Sequence, residues 1–130
     1  MARFTSGVHR LLTERIIGAA IEVHRELGPG LLESAYEKCL CYELRSCGIP
    51  FRSQVRLPLV YKGATIDAFG YRLDLLIDDL VIVEVKAVDR LIMIHKAQML
   101  TYLQQTGARV GLVLNFNAAV LRDGIVRISL

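Results

Sequence analysis

The segment Tyr71–Ala87 constrains this chain most. It holds two apolar runs, Tyr71-Arg72-Leu73-Asp74-Leu75-Leu76-Ile77 and Val81-Ile82-Val83-Glu84-Val85-Lys86-Ala87, on either side of the turn signal Asp78-Asp79. Short β-branched runs flanking a turn read as adjacent antiparallel strands. Side chains alternate along a strand. Val81, Val83, Val85 and Ala87 should therefore share one face of the second strand, with Ile82, Glu84 and Lys86 on the other. On the first strand Tyr71, Leu73, Leu75 and Ile77 should share a face, opposite Arg72, Asp74 and Leu76. Leu76 and Ile82 break the polar alternation of a surface strand, so both faces are expected to lie under cover. Charges among such neighbours cost free energy unless they are paired or bind a metal.

Register decides whether the charges meet. Pairing of Ile77 with Leu80 across a two-residue turn would set Asp74 opposite Val83 and turn it away from Glu84. One extra residue in the loop, or a bulge, sets Asp74 opposite Glu84 and Arg72 opposite Lys86. The odd offset is the expected one, because only it builds a site. Two carboxylates a few ångströms apart suit Mg²⁺ or Mn²⁺, which prefer oxygen ligands. Such a cation lowers the pKa of a bound water and neutralises charge on a phosphoryl oxygen. Lys86, two residues from Glu84 on the same strand face, could hold the attacking hydroxide and stabilise a pentacoordinate transition state. The plainer reading is a cross-strand ion pair, worth roughly a few tenths of a kcal/mol.

The rest of the chain supplies the cover. Apolar residues recur at helical spacing over Thr13–Leu27 (Ile16, Ile17, Ala20, Val23, Leu27) and again over Leu31–Cys47. Gly28-Pro29-Gly30 separates the two, and Gly48 is the expected C-terminal cap of the second. Phe51–Tyr61 alternates as a strand with Val55, Leu57 and Leu59 on one face, and Pro58 marks an edge or an irregularity. Ala64–Ile66 could add a short strand beyond the main order, with Asp67–Gly70 loosening the chain before Tyr71. A third helix is expected over Ile94–Thr106, then strands at Arg109–Phe116 and Ile125–Ser129. The order α-α-β-β-β-α-β-β predicts an α/β fold, a mixed β-sheet flanked by helices.

With 130 residues the chain is expected to form one domain, 1–130. Hydrophobic residues make up 53% and mean hydropathy is +0.40, which rules out a disordered chain. No apolar run approaches the roughly 20 residues of a membrane helix, so no membrane partner is expected and no signal peptide is read at the N-terminus. The apolar excess points instead to buried strands and to a homodimer or higher homo-oligomer. The surface expected to remain uncovered is the apolar side of the first helix and Ile125–Leu130. The net charge of +3 is compatible with a polyanionic partner. Cys39, Cys41 and Cys47 are odd in number, fall within the second predicted helix and form no CxxC. They read as reduced thiols of a cytoplasmic protein.

Three motifs extend the picture. Gly30-Leu31-Leu32-Glu33-Ser34-Ala35-Tyr36 fits GxxExxY. Asp74 precedes Glu84-Val85-Lys86 at the separation of a D…ExK core, and Gln98-Met99-Leu100-Thr101-Tyr102 fits QxxxY. Together, over about Ile16–Ile128, they resemble the GxxExxY family of the PD-(D/E)XK nuclease superfamily. Leu73 stands where that motif's proline would be. The resemblance implies a restriction-endonuclease-like core and a metal-dependent nuclease. It implies Asp74 and Glu84 as metal-binding carboxylates, joined by Glu33 from the preceding helix, and Lys86 as the catalytic lysine. It implies Gln98 and Tyr102 as the QxxxY element beside the site. Nucleic acid, DNA rather than RNA, would be the partner, and Mg²⁺ or Mn²⁺ the cofactor. The alternative is a non-catalytic module that keeps the nuclease fold and binds nucleic acid or a protein.

Overall fold

The structure is a computed structural model that describes residues 2–130, with side chains described from residue 9 onward. The elements follow the expected order: α1 (Ala2–Leu27), α2 (Glu33–Ser46), β1 (Phe51–Tyr61), β2 (Ala64–Ile77), β3 (Val81–Lys86), α3 (Met93–Thr106), β4 (Val110–Asn115), a 3₁₀ turn at Leu121–Gly124, and β5 (Ile125–Ser129). The five strands form one sheet in the order β1-β2-β3-β4-β5. Only β3 and β4 run parallel, because α3 crosses between them, while the other neighbours are antiparallel.

Helices cover both faces of the sheet. Ile16, Ala20 and Val23 of α1 and Tyr36, Leu40 and Leu44 of α2 pack with Leu75, Ile77, Val83 and Leu112. Met99, Tyr102 and Leu103 of α3 pack with Leu73, Leu76, Ile82 and Val113 on the other side. This double cover explains why β3 and β4 are apolar at successive positions. α1 is longer than the expected Thr13–Leu27. Thr13, a residue type that favours helix starts, is buried inside the helix. Its hydroxyl donates to the Arg10 carbonyl at 2.9 Å and accepts from Arg127 Nη1 at 3.0 Å. α2 ends as expected: Gly48 takes a left-handed φ of 70°, and Cys47 sits at the cap rather than in the helix.

Three further expectations are corrected. Asp67–Gly70 does not interrupt the strand, since β2 is continuous from Ala64 to Ile77. The irregularity falls in the pairing, which shifts register on either side of Leu59. Gly70 permits this, because a Cβ there would lie 2.5 Å from the Leu59 Cβ. The expected uncovered surface is corrected in extent: Ile16, Ala20 and Val23 of α1 are covered, Leu11 and Leu27 of α1 and Leu130 are exposed, and further exposed apolar side chains lie elsewhere, among them Val60, Tyr61, Ile66, Phe69, Ile92, Met93 and Ile94. Finally, Leu73 and Leu75 do not share a face. Tyr71 and Leu73 pack toward α3, while Leu75 and Ile77 pack toward α1 and α2. The cause lies across the ladder. Gln54 has a left-handed φ of 54°, and the β1–β2 pairing skips the Gln54–Asp74 position between Ser53–Leu75 and Val55–Leu73. Both strands turn over there, with Asp74 at the pivot. No helix of the described residues is long and apolar enough to cross a membrane.

Candidate active site

The β2–β3 loop holds three residues, so Ile77 pairs with Val81, Leu76 with Ile82 and Leu75 with Val83. Asp78 and Asp79 both take left-handed backbone (φ 51° and 55°), a region that tolerates aspartate better than most residues. The Leu80 amide closes the turn on the Ile77 carbonyl at 2.9 Å. This is the odd offset, and its next step is Asp74 opposite Glu84. The backbone ladder stops at Leu75–Val83. Beyond it the two carboxylates replace the missing rungs. Glu84 Oε2 accepts the Asp74 N–H at 2.8 Å, and Asp74 Oδ2 accepts the Val85 N–H at 2.8 Å. The strands fork at this point, and each acidic side chain is fixed by the backbone of the other strand.

That arrangement is electrostatically costly without a counter-charge. Glu84 is 5% exposed. Burial and then the neighbouring Asp74 charge push its carboxyl up to about 8, against the pull of the Asp74 N–H and the Lys86 ammonium. Burial also raises Asp74, opposed by the Val85 N–H and Lys86. Lys86 follows on the same strand, partly exposed. Asp74 Oδ2 and Glu84 Oε2 are each engaged by one backbone N–H, which leaves the second oxygen of each carboxylate outside the clamp. Two hard oxygen donors in a desolvated setting that disfavours their charge fit a divalent cation.

Glu33, in the first turn of α2, is exposed and accepts the Ala87 N–H at 3.2 Å through Oε2. It thereby ties α2 to the chain just past Lys86. Among the described residues no three His, Cys, Asp or Glu side chains are grouped as one metal shell, so Asp74 and Glu84 form a pair with Glu33 bound beside it. Tyr102 is buried on α3 with its ring edge-on to Tyr71, centroids 6.2 Å apart. Burial raises its hydroxyl, and the Glu84 and Asp74 charges act in the same direction. Gln98, one turn earlier on α3, is exposed.

A cleft of about 400 Å³ opens beside Asp74, between α2 and the β1–β2 ladder. Besides Glu33 it is lined by Glu37, Lys38, Gln54 and Arg72. Glu37 lies one turn beyond Glu33 and accepts from Gln54 Nε2 at 2.7 Å. Burial raises its carboxyl, with Gln54 pulling the other way. Sequence reasoning missed Glu37 and Gln54. The four-residue spacing of Glu33 and Glu37 was a signal for the first. Nothing local marks Gln54. Asn115, buried at the end of β4, was missed as well. Its Oδ1 accepts the Val88 N–H at 3.0 Å and its Nδ2 donates to the Val88 carbonyl at 2.9 Å, which fixes the segment leaving Lys86. Tyr36 of GxxExxY works structurally: its hydroxyl donates to the Gly28 carbonyl at 2.6 Å, accepts the Leu31 N–H at 3.0 Å, and its ring stacks on Phe116.

A family model of the PD-(D/E)XK nuclease superfamily matches residues 10–128. The chain belongs to that superfamily. Its mixed five-stranded sheet with flanking helices is consistent with the restriction-endonuclease-like fold. No curated protein and no solved structure matches the chain. The superfamily's name describes a carboxylate followed by a (D/E)xK triplet, and Asp74 and Glu84-Val85-Lys86 stand in that order at the fork of this PD-(D/E)XK protein.

Proposed function

We propose that this protein is a divalent-metal-dependent phosphodiesterase acting on nucleic acid, in the GxxExxY branch of its superfamily. The carrying observation is the reciprocal clamp at the fork, where Glu84 takes the Asp74 amide and Asp74 takes the Val85 amide. It supports a site built to hold two carboxylates at a fixed separation. Asp74 and Glu84 would hold Mg²⁺ or Mn²⁺, with Glu33 from α2 as a further oxygen donor. Bound there, the cation would supply Lewis-acid stabilisation of a phosphoryl oxygen and a more acidic water. Lys86 provides a fixed positive charge on the strand face of Glu84, suited to hold the attacking oxygen and to offset the extra negative charge of the transition state. Tyr102 supplies a buried wall and a hydroxyl near the carboxylates. Gln98, exposed on the same face of α3, is suited to meet the substrate. Arg72, in the cleft beside Asp74, is suited to a neighbouring phosphate. DNA is the expected substrate and the cytoplasm the expected location. Self-association belongs to the same reading, through the exposed Ile92, Met93 and Ile94, and the molar mass in solution tests it.

The test of function is cleavage of single- and double-stranded DNA and RNA with Mg²⁺, with Mn²⁺ and with EDTA. Metal-dependent cleavage by the wild type and its loss in Asp74→Asn support the assignment. Cleavage in EDTA, or equal cleavage by Asp74→Asn, counts against it.

A further inference from the structure

The β1–β2 hairpin runs on beyond the helices. From Pro58 to Gly70 every residue except Leu59 is exposed. This arm displays Tyr61 (61% exposed) and Phe69 (65%), with Val60 and Ile66 also uncovered. Large aromatic side chains left in water on a projecting hairpin contribute nothing to the core and mark a contact surface.

The charge of the arm selects its partner. Between Arg56 and Arg72 the sequence has three cations, Arg56, Lys62 and Arg72, and one carboxylate, Asp67. Asp67 is occupied locally, since its Oδ1 accepts the Phe69 N–H at 2.8 Å. Arg56 and Arg72 face each other across the ladder. Like charges directly opposite are destabilising on a sheet. The ion pairs found among the described residues, Arg25–Glu22 and Arg52–Asp79, involve neither of them. Lys62 Nζ lies 5.4 Å from the Tyr61 ring centroid. Arg72 stands toward the Glu37 and Asp74 carboxylates of the cleft, whereas aromatic faces interleaved with Arg56 and Lys62 suit a chain that alternates bases with phosphates. A duplex fits poorly, because its bases already stack on one another. A second copy of this chain fits poorly too, because an isologous contact would set the same cations against each other. Arg72 also lines the cleft beside Asp74. It joins the arm to the fork, and Phe69 stands five strand residues from Asp74, about 17 Å along β2.

We propose that the β1–β2 arm grips a single strand of DNA, with Tyr61 and Phe69 stacking on bases and Arg56 and Lys62 on phosphates, and leads it past Arg72 to the Asp74–Glu84 fork. The destination rests on the nuclease reading, whereas the grip does not. Stacking and phosphate contacts need no 2′-hydroxyl, so DNA is the strand chosen for the test.

The full chain is titrated in EDTA against fluorescein-labelled oligothymidylate, a mixed-sequence duplex of the same length and the matching oligouridylate. The single strand of DNA should bind about ten-fold or more tighter than the duplex. The double variant Tyr61→Ala/Phe69→Ala should lose roughly ten-fold or more, from the usual range for a stacked base, and Phe69→Tyr should retain wild-type affinity. Arg56→Gln/Lys62→Gln should flatten the salt dependence by about 0.7 in log–log slope for each phosphate that the variant no longer neutralises. Melting temperatures should be unchanged, since all four side chains are exposed. Unchanged affinity in the aromatic double variant, tighter duplex binding, or tighter binding of the RNA would overturn the proposal. Conversion of a dimer to a monomer by that variant, read by light scattering, would assign the arm to a second copy instead. Because binding is read without metal, an inactive wild type that still binds through the arm would refute only the nuclease reading. An active enzyme indifferent to the arm would refute only the grip.

Discussion

Glu84 should make the metal-free protein lose stability as pH rises. Its carboxyl moves from an ordinary 4.5 to about 8 in the folded chain, chiefly through burial and then through Asp74. Between those two values the folded state holds a proton that the unfolded state has released. Stability therefore falls with rising pH across that window, from full below about 4.5 to a floor above about 8. At about 1.36 kcal/mol for each pH unit of difference, the limiting loss is roughly 5 kcal/mol. Relaxation and water entry would reduce it, so a loss on the order of 2–4 kcal/mol is expected. Urea denaturation in EDTA at pH 5, 7 and 9 measures it directly. Glu84→Gln is the control, because its carbonyl oxygen can still accept the Asp74 N–H. Burial raises the Asp74 and Glu37 carboxyls as well, so the informative quantity is wild type minus variant. That difference should grow with pH in favour of the variant. Saturating Mn²⁺ should flatten the wild-type slope, since a cation favours the ionised carboxylate. Parallel pH profiles for the two proteins would refute the assignment of this cost to the fork.

Other perturbations have defined outcomes. Tyr36→Phe leaves the Leu31 N–H and the Gly28 carbonyl without their partner and should cost about 1–2 kcal/mol in urea denaturation. Gly70→Ala drives a Cβ against Leu59 and should destabilise by roughly 1–3 kcal/mol without altering the metal response. Gln54→Ala keeps the left-handed backbone but removes the Glu37 partner. It should weaken divalent binding, read as a smaller metal-induced rise in melting temperature, with an unchanged circular dichroism spectrum.

Much of this fold is legible in local pattern. Helical and strand periods give every element in order. The two apolar strands around Asp78-Asp79 give the hairpin, and the demand that Asp74 meet Glu84 gives its register. What stays hidden depends on contacts distant in sequence. Asp67–Gly70 has the residues of a breaker, but Gly70 is there to admit the Leu59 side chain, and the strand runs through. The turnover at Asp74 is caused by left-handed backbone at Gln54, on another strand and in a residue type with no preference for it. Strict alternation consequently places Leu73 on the wrong face, yet the carboxylates still meet, because each accepts a backbone N–H of the opposite strand. Glu37 enters the cleft only through the docking of α2, and Asn115 acquires its role only when β4 lies beside β3.

We propose the fork as a hydrolytic site in which Lys86 acts on the reacting phosphate while Asp74 and Glu84 hold the cation. The most direct measurement compares single-turnover DNA cleavage in Mn²⁺ by the wild type and by Lys86→Ala, with the Mn²⁺-induced melting shift recorded on the same samples. Lys86→Ala should retain the shift and lose cleavage by about 10²-fold or more, as expected on removal of one transition-state contact. Cleavage by Lys86→Ala at the wild-type rate, with the shift intact, would contradict the account.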